Sequence, residues 1–429
     1  MFYSEAIDYI RNIERGGSDY GIERMRELLD LLGSPDESLK FVHIAGTNGK
    51  GSVCAYLTSI LKESGYRVGT YNSPSVFKYN ERWSIDGQML SDELVAKYLT
   101  EVREVVEREN ARRRFCPTAF EIETAVAMLA FLEQGCDIAV LETGLGGRWD
   151  ATNAIRKKEL AVITPIGLDH CALLGNTLRE IASEKAAIIK DTAVTCEQCD
   201  EVMREISNPY HIVDGRRVEV SADVKLCHTP KLISHDVNGQ KFEYGGGVYE
   251  ISMLGEHQLQ NASIAICAVE ELRKKGWNIP ESALAQGLKN TVWHARLEVV
   301  KNAQTKFNIS VPHGKTLVFD GAHNPHGATA LAKAIEDYFK NERIHLVVGM
   351  LADKDVDGVV ELLAPLASRV TTVTPPSPRA LDKDKLKEKF ASYVECDSCD
   401  TIRGAVQNAL DGDCTVAVLC GSLTLFGAL

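Results

Sequence analysis

The stretch Phe41-Val-His-Ile-Ala-Gly-Thr-Asn-Gly-Lys-Gly-Ser52 decides how this chain reads. An apolar run stops at a turn rich in glycine, with one lysine, and then enters a helical pattern. A strand that delivers such a loop to a helix N-terminus aims several backbone N–H groups at one point. The helix dipole favours an anion there, and Lys50 can reach terminal phosphates. Gly46, Gly49 and Gly51 permit the tight backbone. The loop departs from G-x-x-x-x-G-K-[ST]: Ile44 stands where the first glycine would be, and Gly51 takes the hydroxyl position, so that Ser52 falls one place later. Its surroundings favour a phosphate cradle over a merely structural turn. Val53, Leu57, Ile60 and Leu61 follow with i, i+4, i+7, i+8 spacing, and Gly65 can end the helix.

Around this loop, 429 residues of which 45% are hydrophobic set a prior of roughly two to three globular domains. The formal charge of −12 argues against a broad surface for nucleic acid, so an anionic ligand must meet a local basic site. The start, Met1-Phe-Tyr-Ser-Glu-Ala, has neither the basic nor the apolar part of a signal peptide, and no apolar run is long enough to span a bilayer; a cytoplasmic protein without membrane contact is expected. Of twelve cysteines, most sit singly in apolar segments, as Cys54, Cys136, Cys267 and Cys420 do, and read as small core residues. The pairs Cys196/Cys199 and Cys396/Cys399 could together supply four zinc ligands. They stand roughly 200 residues apart, which favours ordinary reduced thiols.

From residue 41 to about 194, strand-like runs alternate with helical ones, the mark of a doubly wound parallel sheet. Strands are predicted at 41–45, 67–71, 137–142 and 160–165, and helices at 121–134 and 178–189. Between about 210 and 252 the pattern changes to short alternating runs with turns such as Asn238-Gly239, read as antiparallel hairpins appended to that sheet. Helices return at 258–275 and 281–288. A fresh alternation starts at Lys315: strands at 316–320, 344–348, 370–373 and 415–419, helices at 328–339 and 356–366. The expected organisation is a P-loop type α/β domain over 1–295 with a small antiparallel addition, then a smaller Rossmann-like α/β domain over 296–429. Ligands in such arrangements collect at the junction.

Other strand ends carry chemistry of their own. Asp137-Ile-Ala-Val-Leu-Glu142 brings an acid to the C-terminal edge of a buried strand, where ligands gather in doubly wound sheets, and Glu142 is placed to bind the magnesium that accompanies a nucleoside triphosphate. Gly144 and Gly146 lack a third glycine, so no dinucleotide site is read. Thr164-Pro-Ile-Gly-Leu-Asp-His170 delivers Asp169 and His170 to the same edge. Ser183-Glu-Lys185 puts a lysine in a helix among small and apolar residues, which alone reads as a solvated lysine. Leu317-Val-Phe-Asp-Gly-Ala-His-Asn-Pro-His326 opens the second domain with a strand, a polar turn and a helix.

That order of motifs resembles the folylpolyglutamate synthases and bifunctional dihydrofolate synthases of the Mur ligase family of ATP-dependent amide ligases. It rests on 46–52, Glu142-x-Gly-Leu-Gly-Gly-Arg148 with Asp150-Ala-Thr-Asn153, Leu168-Asp-His170 and Ser183-Glu-Lys185. Asp320-Gly-Ala-His-Asn-Pro325, Leu351-Ala-Asp-Lys-Asp355 and Gly421-Ser-Leu423 extend it into the second domain. The resemblance implies that Asn48, Gly49, Lys50, Gly51 and Ser52 hold phosphates, with Asn261, Arg296 and Asp320 completing the nucleotide site. It implies magnesium ligands at Ser73, Glu142 and His170, and a carboxylated lysine at Lys185 as ligand to a second magnesium. A pterin pocket falls on Thr118, Phe120, Glu121, Trp149, Asp150 and Ala151, and glutamate recognition on His323 and Ser422.

The implied reaction transfers the ATP γ-phosphoryl group to a carboxylate and lets the L-glutamate amine displace phosphate from the acyl phosphate. Reduced folates, and dihydropteroate besides, are the expected acceptors, with Lys50, Lys185, His170 and His323 carrying the chemistry in a monomer. The alternatives are a related amino acid ligase with another carboxylate acceptor, and a P-loop regulatory ATPase, which would have no use for Glu142, His170 and Lys185 together.

Overall fold

A computed structural model describes residues 1–13 and 22–429. The first sheet contains strands β1 (Phe41–Ala45), β2 (Val68–Tyr71), β3 (Trp83–Ile85), β4 (Gln88–Met89), β5 (Ile138–Glu142), β6 (Leu160–Ile163) and β7 (Thr192–Cys196). Three short strands follow in the chain: β8 (Tyr210–Val213), β9 (Arg216–Glu219) and β10 (Asp223–Cys227). The sheet order is β10-β7-β6-β1-β5-β2-β3-β4, parallel from β10 to β2 and closed by an antiparallel hairpin at β3 and β4. β1 and β5 are buried along their whole length, because parallel strands are covered on both faces. On one face Val53, Leu57, Ile60 and Leu61 of the helix Lys50–Glu63 pack with Ile264 and Ala268 of the helix Glu256–Lys274. The other face holds Ile122, Val126 and Phe131 of the helix Ala119–Glu133.

The sequence expectation for residues 210–252 needs one correction. β8 and β9 form a hairpin, and β11 (Lys231–Asp236), β12 (Gly239–Tyr244) and β13 (Gly247–Ile251) form a separate antiparallel sheet. β10, however, pairs in parallel with β7 and extends the main sheet by one strand. Its mostly exposed and half-buried residues fit an edge strand of either direction, so the local pattern carried no directional information.

A helix that the expectations omitted, Asp92–Asn110, packs against the helices Tyr3–Asn12 and Ala119–Glu133. Its signals are present in the chain: Ser91 caps it by accepting from the Leu94 amide, Asp92 and Glu93 suit the positive end of the dipole, and Val95, Leu99, Val102 and Val106 line its buried face.

The second sheet, β14 (Glu298–Val299), β15 (Thr316–Phe319), β16 (Ile344–Val348), β17 (Arg369–Thr372), β18 (Cys396–Ser398) and β19 (Val416–Cys420), runs in the order β14-β15-β19-β16-β17-β18. All its pairings are parallel except β14 with β15. The helix Pro325–Tyr338 starts immediately after the polar turn, with Asn324 as its cap and Pro325 at its first position. Cys196 lies in β7 and Cys396 in β18, so the two C-x-x-C pairs belong to different sheets, and no group of three or more metal-binding acids, histidines or cysteines occurs among the described residues.

Candidate active site at the junction of the two sheets

The loop of residues 46–52 leaves β1 and enters the helix Lys50–Glu63. Two of its glycines are dictated by space and backbone. Gly46 has φ of +154°, and a Cβ there would stand 1.8 Å from Thr164 Oγ1; Gly49 has φ of +87°, and a Cβ would stand 2.4 Å from Asn261 Oδ1. The helix Glu256–Lys274 braces the loop from behind: Asn261 donates to Gln258 Oε1 (3.0 Å), and Gln258 donates to the Ser52 hydroxyl (3.3 Å). Lys50, the first residue of its helix, has only the Thr47 carbonyl at 3.3 Å and Glu142 at 3.9 Å.

Glu142, at the end of β5, is buried, yet among the described residues its carboxylate accepts only the Ser73 amide, at 3.3 Å. Burial raises its pKa, and the Lys50 charge, the Ser73 amide and Arg296 draw it back. Beside it, Asn72 Oδ1 and Thr143 Oγ1 are buried without a partner among the described residues. Lys185, from the helix Leu178–Ala186, reaches the Gly46 carbonyl at 2.8 Å. Burial, helped by the Lys50 charge, lowers its pKa to about 7. His170 stands in the left-handed region (φ 51°) with its ring partly exposed, 3.9 Å from Asp169. Burial lowers its pKa as well.

The second sheet contributes the opposite wall. Arg296 projects between Asp320 and Glu142, whose charges favour its cation against burial, and its Nη1 donates to the Ala295 carbonyl at 2.9 Å. Gly321 makes room for it, since a Cβ there would meet Nη1 at 2.5 Å. Asp320 accepts the Leu297 and Ala322 amides at 2.7 and 2.8 Å, so it shapes the turn that presents Arg296. His323 Nδ1 lies 2.8 Å from the Gly321 carbonyl, an acceptor only, so Nδ1 carries the proton. Burial lowers the ring's pKa to about 4, which leaves Nε2 a free acceptor near neutral pH.

Asp169 ties the two walls together in a way the sequence did not show. Its carboxylate takes Lys354 Nζ at 2.9 Å and Asn324 Nδ2 at 3.1 Å, both from the second domain; burial would raise its pKa, but Lys354, with His170 and His323, holds it far below the usual range. Asn48 and His326 add a bond of 2.8 Å across the same junction. Lys354 and His326 were visible only as members of quoted motifs; contacts across 185 and 278 residues of chain have no local signal.

One cleft is therefore lined by 46–52, Ser73, Glu142, His170, Lys185, Asn261, Arg296, Asp320 and His323. The acceptor-side residues are placed otherwise. Thr118 caps the helix Ala119–Glu133, and Glu121 closes the capping box while accepting Arg24 Nε at 2.9 Å. Asp150 is buried: Leu145 donates to Oδ2 at 2.9 Å, and the Thr152 amide (3.0 Å) and hydroxyl donate to Oδ1. Ala151 is buried behind it, Trp149 is 38% exposed, and Ser422 caps the C-terminal 3₁₀ turn at the Thr424 amide. Phe120 comes nearest, its ring underlying Gly144 of the cleft wall, where a Cβ would meet it at 2.4 Å. None of Thr118, Phe120, Glu121, Trp149, Asp150, Ala151 and Ser422 lines the cleft itself.

Comparison with known proteins gives the family. Residues 44–269 match the Mur ligase middle domain and residues 295–423 the Mur ligase glutamate ligase domain. The dihydrofolate synthase/folylpolyglutamate synthase of Bacillus subtilis is 36% identical over 398 residues, covering 89% of this chain and 87% of its own. Among solved structures, a Mycobacterium tuberculosis folylpolyglutamate synthase complexed with ADP superposes with a TM-score of 0.84 at 32% identity, covering 99% of this chain and 97% of that one. The Escherichia coli protein in complex with ADP and DHPP gives 0.83 at 27% identity, covering 100% and 96%. The chain belongs to the Mur ligase family, among its folylpolyglutamate and dihydrofolate synthases.

Proposed function

We propose that this enzyme uses ATP to join L-glutamate to the carboxylate of reduced folates and of dihydropteroate, through an acyl phosphate. The observation that carries the reading is the convergence of Lys50, Glu142, His170 and Lys185 from one domain with Arg296, Asp320 and His323 from the other in a single cleft. Lys50 and Arg296 are the cations that meet charge spread over the γ-phosphoryl group during its transfer to the acceptor carboxylate. The amine of glutamate then attacks the activated carbonyl and phosphate leaves. His323, with an unprotonated Nε2, is suited to orient glutamate or to take the amine proton. Ser422 is a buried cap of the C-terminal 3₁₀ turn and is assigned to shaping that end.

An acyl phosphate hydrolyses readily, so the walls must exclude water before it forms. The Asp169 contacts with Lys354 and Asn324 support a closed junction that does so.

The residues present fit magnesium. Glu142 is a buried carboxylate with one weak donor, and the Ser73 hydroxyl and His170 add hard oxygen and nitrogen donors. Bound there, magnesium would supply further neutralisation of the phosphoryl charge. Lys185 fits carboxylation: reaction with carbon dioxide needs a neutral amine, and a pKa of about 7 leaves a large fraction neutral at physiological pH. The carbamate would hold a second magnesium. For the acceptor ring, Phe120 under Gly144 and the partly exposed Trp149 offer flat apolar surface. Thr118, Glu121, Asp150 and Ala151 shape the backbone around it. On the same reading the enzyme is a cytoplasmic monomer with no nucleic-acid or membrane partner, supported by its charge of −12 and by a cleft built within one chain.

The test is formation of glutamylated product from ATP, L-glutamate and either tetrahydrofolate or dihydropteroate. Product from both supports the full reading, and from tetrahydrofolate alone reduces it to a folylpolyglutamate synthase. Product from neither, with ATP still consumed in the presence of another acid, assigns a related ligase.

A further inference from the structure

Behind the cleft runs a chain of buried polar side chains that the reaction does not use. Lys158, just ahead of β6, reaches His43 Nδ1 at 2.8 Å, and His43, in the middle of β1, reaches the Thr152 hydroxyl from Nε2 at 2.7 Å. The Thr152 hydroxyl in turn bonds Asp150. All four residues are buried. Among the described residues Lys158 has no carboxylate in contact; its other partners are Asn153 Oδ1 at 3.2 Å and the Ile188 carbonyl at 2.7 Å.

The bond directions are coupled along the chain, because each of the three links from Lys158 to Asp150 holds one proton. With Asp150 ionised, Thr152 must donate to it, His43 must donate from Nε2 to Thr152, and Nδ1 must then accept from Lys158, which spends three protons as an ammonium. With Asp150 protonated every link reverses, and Lys158 is a neutral amine that accepts from Nδ1–H. Burial works against the charged arrangement at both ends, lifting Asp150 and lowering Lys158, while the groups that donate to Asp150 hold it toward the carboxylate. Neither arrangement leaves net charge or an unmet polar group in the chain. Deleting any one link strands a buried partner, which is the costly event for such a network.

What the two ends hold gives the chain its purpose. Asp150 fixes the Leu145 amide, and Gly144 and Leu145 line the cleft next to Glu142. Lys158 fixes the Ile188 carbonyl just beyond the helix that carries Lys185.

We infer that Lys158, His43 and Thr152 are positioning residues for ligation, a relay that sets the cleft wall at Gly144 and Leu145 through Asp150 and so governs docking of the carboxylate acceptor. The role in ligation rests on the function proposed above, whereas the setting of the wall does not.

The experiment uses Thr152→Val, Lys158→Met and, as the conservative variant, Thr152→Ser in the full chain. Hydrogen exchange is followed over residues 143–150. In Thr152→Val and Lys158→Met these amides should exchange about tenfold faster, and in Thr152→Ser they should stay at the wild-type rate. The KM for the acceptor should rise about fivefold in the first two while that for ATP stays within about twofold. Unchanged exchange in a folded Thr152→Val protein overturns the relay. So does exchange in Thr152→Ser as fast as in Thr152→Val, which would make the methyl group the cause. If Lys158→Met does not fold, the two Thr152 variants decide. A wild-type enzyme that turns over neither folate acceptor refutes the proposed function, and the exchange rates still decide the relay.

Discussion

The cleft and the scaffold beside it both contain buried acids, and they treat them in opposite ways. Glu142 has one amide at 3.3 Å and a lysine at 3.9 Å; Glu121 has the Arg24 guanidinium, the Thr118 amide and the Thr118 hydroxyl, all within hydrogen-bond distance. Asp150 accepts three groups of its own loop. A buried carboxylate costs free energy unless it is paired and hydrogen-bonded. Where the chain supplies the partners, the acid builds structure; where it withholds them, the acid is left able to take a cation from outside. On the proposed function the nucleotide end is thus kept electrostatically incomplete, while beside the acceptor end stands a finished scaffold that leaves selectivity to shape.

The largest effect should follow from removing a charge at the incomplete end. Lys50→Ala should lower the rate of ligation about a thousandfold, the size of loss seen when a group aimed at developing charge is removed. Stability should change by less than about 1 kcal/mol, since Lys50 makes one long hydrogen bond and one loose ion pair. Single-turnover assays beside urea unfolding check both halves. A variant that unfolds instead would place Lys50 with the scaffold and break the contrast.

Lys185 is the second test at that end. On the proposed carboxylation, Lys185→Ala should lose about a hundredfold in rate, partly restored by added acetate or formate, because the proposal requires an anion at that position. Stability gives an independent signature without magnesium or bicarbonate. The lysine pKa is about 7 in the folded protein against 10.5 ordinarily, so between these values the unfolded chain binds more protons and stability rises with pH. Lys185→Met removes this slope. Relative to wild type, its gain should be full below pH 7 and vanish above 10.5, falling between them by at most about 1.4 kcal/mol for each step of one in pH. Urea midpoints measured across that range decide; parallel curves for the two proteins would show that the amine is not desolvated.

This contrast was only half legible in the chain. The incomplete end could be read because its signals are local: an apolar strand, glycines at the turn, a lysine and a helical stripe occur within Phe41–Leu61, and Glu142 and His170 stand at recognisable strand ends. The finished end could not. Thr118 and Glu121 formed a capping-box signature, but the pairing of Glu121 with Arg24 spans 97 residues and that of His43 with Lys158 spans 115. Those partners have no local signal, so the assignment of Glu121 and Asp150 to a pterin pocket rests on the resemblance alone. The direction of β10 was lost for the same reason, since its neighbour β7 is chosen by the whole sheet. The junction through Asp169 and Lys354 likewise depends on how two domains meet.

Glu121→Gln tests the finished end directly. If the carboxylate serves Arg24 and the capping box, the substitution should cost about 1–3 kcal/mol of stability and leave the KM for dihydropteroate within about twofold. Thermal unfolding and initial rates measure the two. A protein of unchanged stability with a large rise in that KM would show that Glu121 reads the acceptor ring after all.

The smallest effect concerns shape alone. The Phe120 ring lies 5.7 Å from that of Tyr71, tilted by 34°, and supports Gly144 from beneath. Phe120→Leu keeps an apolar side chain but removes the flat face, a change worth about 0.5–1.5 kcal/mol where an aromatic partner is lost. Dihydropteroate has little besides its ring system and benzoate with which to bind, so its KM should rise about three- to tenfold. Tetrahydrofolate carries a glutamate as well, and contacts to that tail remain, so its KM should rise less than about twofold. Initial rates with both acceptors, on wild type and variant side by side, give the ratio. Equal losses for the two would mean that Phe120 only props up a wall that both acceptors share. Unequal losses in the stated direction would place the ring of the acceptor against Phe120 and assign the selectivity of the finished end to shape rather than to charge.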